Sequence, residues 1–243
     1  MPTYRLTIAY DGARFHGYAR QPQVRTVQGE LEACLERLVG PLETSVAGRT
    51  DKGVHASGQV VAVSSEHPWD LDRVLRSVNK RLGPELVILE IQPVADGFSA
   101  RFDATERAYV YRILNREAPD PFLAATSWHV ATPLDLDRMN AAAQAFVGEQ
   151  DFSSLCRRAG NRSNVREVRG AEWTRHGDVM RFDVAASSFC HQMVRSMVAL
   201  CVDVGRGKIE PETVPEVIAA GDRHAARGAA PPHGLTLVRV EYE

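Results

Sequence analysis

The sequence contains no apolar run long enough to cross a membrane, and residues 1–6 do not resemble a signal peptide. It has only four cysteines and no Cys-x-x-Cys pair. Cys34 and Cys201 fall on the apolar faces of predicted helices, which favours core thiols in a reducing cytoplasm over disulfides. The net charge is only −2, which argues against a tail-like, charge-driven nucleic-acid binder but leaves room for local patches. We therefore expect a cytoplasmic protein.

The 243 residues, 44% of them hydrophobic, can bury a sizeable core as one large or two small domains. Periodicity over residues 3–91 predicts strand, helix, strand, strand, helix, strand, which is the ferredoxin-like order found in many RNA-binding sheets. The second half repeats this order loosely. The expected fold is α+β, with two ferredoxin-like (RRM-like) halves, mainly antiparallel sheets packed by helices, and an active-site cleft between them. The expected domains are residues 1–104 and 105–243.

The most charged short segment, residues 46–56, is predicted to be a loop between two strands. Gly48 and Gly53 allow tight turns, and Asp51 lies between Arg49 and Lys52 as a possible nucleophile or electrostatic stabiliser. Spacing alone favours a structural turn with ion pairs. A phosphate cradle is excluded, because Val and His follow Gly53 where Lys and Ser or Thr are required. A metal site is disfavoured, because no third ligand lies at a recognisable spacing.

Two clusters of arginines interrupt an otherwise balanced charge distribution. The first lies in the predicted loop 13–25, and the second, over residues 157–169, contains a single acid. A charge cluster is usually a solvated face, but the scarcity of acids in the second favours a polyanionic partner. In the first loop, Phe15 and Tyr18 are interleaved with the arginines, which suits either stacking on bases or simple packing into the protein.

Two further segments combine an apolar pattern with polar groups. The predicted strand 108–114 places Tyr109 and Tyr111 on one face, which periodicity alone would assign to a buried aromatic stripe. The predicted helix 191–204 is apolar apart from Arg195, which shares a face with His191 if both are helical. An arginine on such a helix usually has a carboxylate partner.

Several motifs together resemble the TruA family of tRNA pseudouridine synthases. The strongest is Gly48-Arg-Thr-Asp-Lys-Gly-Val-His-Ala56, which is similar to the signature that carries the catalytic Asp in that family. Tyr18 stands where the family usually has Trp. The other matching segments are Gln150-Asp-Phe-Ser153, Arg107-Ala-Tyr-Val-Tyr-Arg112, Phe189-Cys-His-Gln-Met-Val-Arg195 and Ala230-Pro-Pro-His-Gly-Leu235. The resemblance spans residues 4–242.

The resemblance implies an enzyme that isomerises uridine to pseudouridine at positions 38, 39 and 40 of the tRNA anticodon stem-loop. By that resemblance Asp51 is the nucleophile, Tyr109 stacks on the flipped base, and Arg195 pairs with Asp51. Arg49 is the candidate to fill the space that the flipped base leaves. No cofactor or metal is expected, because the reaction adds and oxidises nothing. The family works as a homodimer, so we expect one here. The arginines expected to bind tRNA phosphates are Arg14, Arg20, Arg25, Arg158 and Arg162.

Two other functions fit parts of the pattern. A non-catalytic RNA-binding protein could use the same sheets, and it would not need Asp51. A glycosidase-like enzyme would need a second carboxylate flanking the bond, for which Asp11 and Asp103 are the candidates. Analysis of tRNA for a mass-neutral change at uridine distinguishes all three hypotheses.

Overall fold

The computed structural model describes residues 1–157, 163–226 and 228–243, which fall into two compact units. The first unit comprises Met1–Thr105 and Thr236–Glu243, and the second comprises the described residues of Glu106–Leu235. The C-terminal strand, which the division at residue 104 assigned to the second half, groups with the first unit because it pairs with a strand there. Among the described residues, no helix has the length and apolar character needed to cross a membrane.

The protein is a mixed α+β structure whose sheet is mostly antiparallel, as the sequence predicts. In chain order the elements are β1 (Thr3–Tyr10), α1 (Val27–Val39), β2 (Leu42–Val46), β3 (His55–Ser65), α2 (Leu71–Leu82), β4 (Leu86–Val94), β5 (Ala104–Leu114), β6 (Trp128–His129), α3 (Leu136–Gln144), β7 (Gly148–Asp151), β8 (Val165–His176), β9 (Val179–Ala186), α4 (Met193–Gly205), α5 (Val214–Ala219) and β10 (Leu235–Tyr242).

In the first unit the strand order is β4-β1-β3-β10. β10 pairs with His55 and Ala56 at the start of β3, and β2 pairs with residues 61–65 at its end. β1 runs antiparallel to both β3 and β4, whereas β10 runs parallel to β3, with Thr236 opposite His55. Both helices begin at a side-chain cap: Thr26 accepts a hydrogen bond from Gly29 N–H and Asp70 accepts one from Arg73 N–H. These caps fix the helix starts, and both helices predicted within residues 3–91 are confirmed.

In the second unit the strand order is β5-β9-β8-β7, and β6 runs parallel beside β5. α3 packs against α4 and β8. Most residues of α4 are buried, as its apolar sequence predicts, and the helix forms the centre of this unit's core. Apolar burial of this kind is the main source of stability for such a helix.

Two predicted features of the second unit are wrong. α4 begins at Met193, because Gln192 adopts a left-handed conformation with φ of 67° and breaks the helix. His191 therefore precedes the helix and does not share a helical face with Arg195. The second concerns Thr213-Val-Pro-Glu216, whose spacing predicts a capping box at a helix start, but the Thr213 side chain makes no cap hydrogen bond. Its hydroxyl instead donates a hydrogen bond to Glu210 O at 2.8 Å.

The cysteines fall into two classes. Cys34 and Cys201 are buried free thiols, as expected, and burial raises the pKa of Cys201 to about 12. The expectation of thiols is wrong for Cys156 and Cys190, which form a disulfide with Cα atoms 5.7 Å apart. They are 34 residues apart in sequence, so only the folded chain brings them together.

This pairing predicts the number of cysteines that an alkylating reagent modifies. In the native protein Cys201 should react slowly, because its buried thiol is protonated and the thiolate is the reactive form. After unfolding without reductant, two cysteines should be modified, and after reduction all four should be. Mass spectrometry of the intact, alkylated chain gives these counts, and four modified cysteines without reductant would contradict the disulfide.

Candidate active site

Asp51 lies in the loop between β2 and β3 of the first unit, which we call the aspartate loop (residues 47–54). The Asp51 side chain is partly buried, and Arg49 and Lys52 on either side are exposed. Gly53 has φ of +81°, and Val54 N–H donates to Asp51 O at 3.1 Å, which closes a tight turn. The turn presents one carboxylate between two cations.

Buried side chains from the strands hold the aspartate loop. The hydroxyls of Tyr10 and Thr50 are 2.8 Å apart, and Gln59 Nε2 donates to Gly48 O at 2.7 Å. Burial raises the pKa of Tyr10 to about 12, although its hydrogen bonds with Thr50 and Gln59 act in the opposite direction. The phenol therefore stays neutral at physiological pH. These contacts fix the backbone just before Asp51.

The sequence did not identify Tyr10 or Gln59 as parts of the site. The signal for Gln59 was a polar residue at the start of the apolar run 60–63, in a strand that buries it completely. A fully buried amide must be hydrogen-bonded, and the nearest loop is the natural place for its partner.

Two glycines allow the first loop of the chain to touch the aspartate loop. A Cβ on Gly12 would lie 2.1 Å from Val54 O, so only glycine fits. Gly17 has φ of +94°, and its neighbour Tyr18 donates its N–H to Thr50 O at 3.0 Å. The aspartate loop is thus held from the strands and from residues 12–18.

The loop of residues 13–25, which carries the first arginine cluster, is anchored in the protein by two buried aromatic side chains. Phe15 and Tyr18 are 2% and 1% exposed, so the interpretation that they stack on RNA bases is wrong, and apolar packing decides their position. Arg25 lies over the Phe15 ring at 4.8 Å. The three arginines each contact acids, namely Arg14 with Asp11 and Glu85, Arg20 with Glu32, and Arg25 with Glu30 and Glu85.

In the second unit, Tyr109 lies on β5 and is 9% exposed, and its ring meets that of Phe189 edge to face with centroids 5.1 Å apart. Tyr111 is fully buried and donates its hydroxyl to Pro231 O at 2.8 Å. The predicted aromatic stripe therefore exists, with Tyr111 as a core residue. Phe189 fixes the orientation of the Tyr109 ring.

Arg195 lies in the first turn of α4 and is partly buried. Its Nε donates to Ala230 O at 2.7 Å, and Ala230 N–H donates to Arg195 O at 2.9 Å. This double connection ties the helix to the segment before β10 and limits the positions that the guanidinium can take. Arg158 and Arg162 lie outside the described residues.

The remaining acids considered from the sequence have structural hydrogen bonds. Asp11 Oδ1 accepts from Ala13 N–H, and Asp103 Oδ2 accepts from Ser99 N–H. Among the described residues, no group of three or more His, Cys, Asp or Glu side chains could hold a metal ion. The chemistry available at the aspartate loop is thus that of a carboxylate flanked by cations.

Comparison with known proteins identifies the family. A tRNA pseudouridine synthase family model matches residues 6–103 and 142–243. A tRNA pseudouridine synthase A from Moorella thermoacetica is 42% identical over the full length of both chains. The chain belongs to the TruA family of tRNA pseudouridine synthases. It is therefore an isomerase of the TruA type, which converts uridine to pseudouridine in tRNA.

Other TruA relatives also align with this chain over nearly their whole length. The tRNA pseudouridine synthase A of Caulobacter sp. strain K31 is 41% identical over 100% of this chain and 99% of its own. That of Brucella ovis is 38% identical over 100% of this chain and 98% of its own. Among solved structures, a Cbf5-Nop10-Gar1 complex covers 82% of this chain and 45% of its own at 16% identity and a TM-score of 0.39, which is too low to support a conclusion.

Proposed function

We propose that this TruA enzyme acts on uridines 38, 39 and 40 in the anticodon stem-loop of tRNA, with Asp51 as its catalytic nucleophile. The observation that supports this most is the fixed position of Asp51 on the aspartate loop. Buried Tyr10 and Gln59 hold the backbone before it, and the turn at Gly53 holds the backbone after it. A carboxylate held in one place reacts faster with a bound sugar than one on a flexible loop.

The reaction balances without any added reagent. The N1–C1′ bond of uridine breaks, the base turns, and a C5–C1′ bond forms, while C5 loses its proton and N1 gains one. Asp51 could attack C1′ to form a sugar ester, or it could remove a proton from the sugar. Substrate and product have the same atoms and oxidation level, so we propose that no cofactor takes part.

A stem uridine must leave the base stack before its sugar can react, which costs on the order of a few kcal/mol. We propose that Arg49, which is exposed beside Asp51, fills the space that the base leaves. Tyr109 stacks on the flipped base, and its edge-to-face contact with Phe189 supports that role by fixing its ring. Arg195 is the third catalytic residue. Its role in this proposal is the one that the family resemblance implies, which is to pair with the catalytic Asp51.

Arg14, Arg20, Arg25, Arg158 and Arg162 bind phosphates of the tRNA in this proposal. The first three contact carboxylates, and their side chains are 40–61% exposed, although Glu32, the partner of Arg20, is mostly buried. Exposed pairs contribute only about 0–1 kcal/mol each, so an RNA phosphate competes most easily for Arg14, whose pair with Asp11 is the most exposed. For Arg158 and Arg162 the proposal depends on the sequence cluster.

The phosphate contacts predict a specific salt dependence. Replacing both Arg158 and Arg162 by Ala should weaken tRNA binding alike for different tRNA sequences. The slope of log affinity against log salt should become shallower by roughly 0.7–0.9 for each phosphate that the variant no longer neutralises. Binding titrations at several salt concentrations measure this slope. Arg76→Ala, which removes one exposed charge from α2, is the control. An unchanged slope in the double variant would show that this cluster is only a solvated face.

We also propose that the enzyme is a cytoplasmic homodimer and that each half of the chain is ferredoxin-like. The first unit supports the ferredoxin-like assignment, because its strands lie in the order β4-β1-β3-β2 with neighbouring strands antiparallel. The helices α1 and α2 make the connections from β1 to β2 and from β3 to β4, as in that fold.

The proposed chemistry is tested by release of tritium from C5. tRNA transcribed with [5-³H]uridine is incubated with purified enzyme that has been dialysed against a chelator, and magnesium is restored only to fold the tRNA. We expect release of up to three equivalents from a tRNA with uridine at 38, 39 and 40. Release that depends on an added cofactor, or that persists when all three uridines are replaced by cytidine, would contradict the proposal.

A further inference from the structure

Three arginines of the second unit are clustered at the start of α4. Arg195 lies in the first turn of the helix. Arg157 donates its backbone N–H to His191 O at 2.9 Å, and Arg223 donates Nη2 to the Gln192 side-chain oxygen at 2.6 Å. Two chain segments far apart in sequence thus bring cations to the residues that precede α4.

The cluster concentrates positive charge. Burial lowers the pKa of Arg223, and the guanidinium groups of Arg157 and Arg195 lower it further. Among the described residues, no ion pair joins the guanidinium of Arg157 or Arg223 to a carboxylate. Two like charges held near each other repel, so the pair Arg157 and Arg223 is well suited to a bound anion.

One nitrogen in the cluster, Nη1 of Arg223, is a buried donor. Within the described part of the chain, no group accepts a hydrogen bond from it. A buried donor left unpaired costs free energy, more so when the group is charged. The other terminal nitrogen of Arg223 is satisfied by Gln192, so the side chain is fixed with one donor left over. An anionic oxygen is the partner that would satisfy it.

The N-terminus of α4 also favours binding of an anion at this place. Gln192 is the N-cap residue of α4, with φ of 67°, and its side chain accepts from Arg223 and makes no cap hydrogen bond to the helix. The N-terminus of a 13-residue helix carries partial positive charge and unsatisfied N–H groups. The Cys156–Cys190 disulfide joins the residues adjoining Arg157 and His191, which holds this part of the cluster together.

We propose that Arg157, Arg223 and the start of α4 form a binding site for one phosphodiester of the tRNA substrate. We call it the α4 phosphate site. The proposal depends on tRNA being the substrate, and it adds two residues, Arg157 and Arg223, to those that hold the RNA. Arg195 is part of both the cluster and the proposed catalytic set, so a phosphate bound here lies beside a residue of that set.

The test compares the double variant Arg157→Gln, Arg223→Gln with the wild-type enzyme. We expect KM for tRNA to rise about tenfold or more and kcat at saturating tRNA to change less than twofold, because charged hydrogen bonds to the substrate are lost but the catalytic groups are retained. The salt slope of tRNA affinity should become shallower by about one. Arg206→Gln, at the other end of α4, removes one charge from the same unit and should leave the slope unchanged.

Phosphate ethylation interference on whole tRNA then locates the contact. With the wild-type enzyme, ethylation of one particular phosphate should block binding, and the double variant should be insensitive at that phosphate alone. Arg223→Lys keeps the charge and should restore most of the slope. An unchanged slope, with or without a lower melting temperature, or an unchanged interference pattern, would overturn the α4 phosphate site. Tritium release by the wild-type enzyme in the same tRNA shows separately whether the proposed reaction takes place.

Discussion

Asp51→Asn is expected to reduce pseudouridine formation on the order of a thousandfold or more, while folding and tRNA binding remain close to wild type. The carboxamide has nearly the same shape, so the contacts of Tyr10 and Gln59 with the aspartate loop should persist. It cannot act as an anionic nucleophile or base, and removing a catalytic nucleophile abolishes most of the rate enhancement. Single-turnover tritium release with excess enzyme measures the chemical step, because binding is saturated.

The control for this prediction is Asp103→Asn, which also replaces one carboxylate in the first unit. The glycosidase-like alternative would make Asp103 or Asp11 a second catalytic acid. Asp103 already caps a turn by accepting the Ser99 N–H, so its replacement should affect stability slightly and the chemical step very little. Turnover of Asp51→Asn within tenfold of wild type would eliminate Asp51 as the nucleophile. A large loss in Asp103→Asn would favour two-carboxylate chemistry.

Gly12→Ala should destabilise the first unit by about 3 kcal/mol, the upper part of the usual range for overpacking. The new Cβ would lie 2.1 Å from Val54 O and 2.4 Å from Val54 C, and these are backbone atoms that no rotamer change can move. A loss of this size corresponds to a decrease of roughly 6–12 °C in the melting temperature for a chain of this length. Because Val54 ends the aspartate loop, activity should decrease even at temperatures where the variant is folded.

Gly170→Ala is the matched control, because its Cβ would meet nothing within 4 Å and its backbone does not need glycine. Thermal unfolding of the two variants, followed by circular dichroism, should show a large shift for Gly12→Ala and almost none for Gly170→Ala. Equal melting temperatures would mean that the first loop does not approach Val54 closely, and the account of how the aspartate loop is held would be wrong.

Local signals in the sequence predicted many of the elements well. α1 and α2 follow from apolar spacing that ends at Gly40-Pro41 and Gly83-Pro84, and both helices are confirmed. β1 follows from strict alternation, which the burial pattern reproduces. The aspartate loop was placed correctly between two strands, because glycines and charges interrupt two apolar runs.

The features that the sequence missed depend on contacts between distant residues. Gln59 appears in the sequence as one polar residue in a strand, and only the fold shows that it holds Gly48 O. Periodicity predicted that α4 begins at His191, but the helix begins at Met193. A pattern of apolar residues carries no information on the left-handed conformation of Gln192. The Cys156–Cys190 pair and the position of Arg223 beside Gln192 likewise depend on packing in the second unit.

The most direct test of the central claim is nucleotide-resolution mapping of pseudouridine in unmodified tRNA treated with the purified enzyme. The tRNA should carry uridine at 38, 39 and 40 and at several positions outside the anticodon stem-loop. The account predicts pseudouridine at 38, 39 and 40 with the wild-type enzyme, none at the other uridines, and, in the same reaction time, none above background with Asp51→Asn. Modification outside the anticodon stem-loop, or modification by the Asp51→Asn variant at a rate within tenfold of wild type, would contradict it.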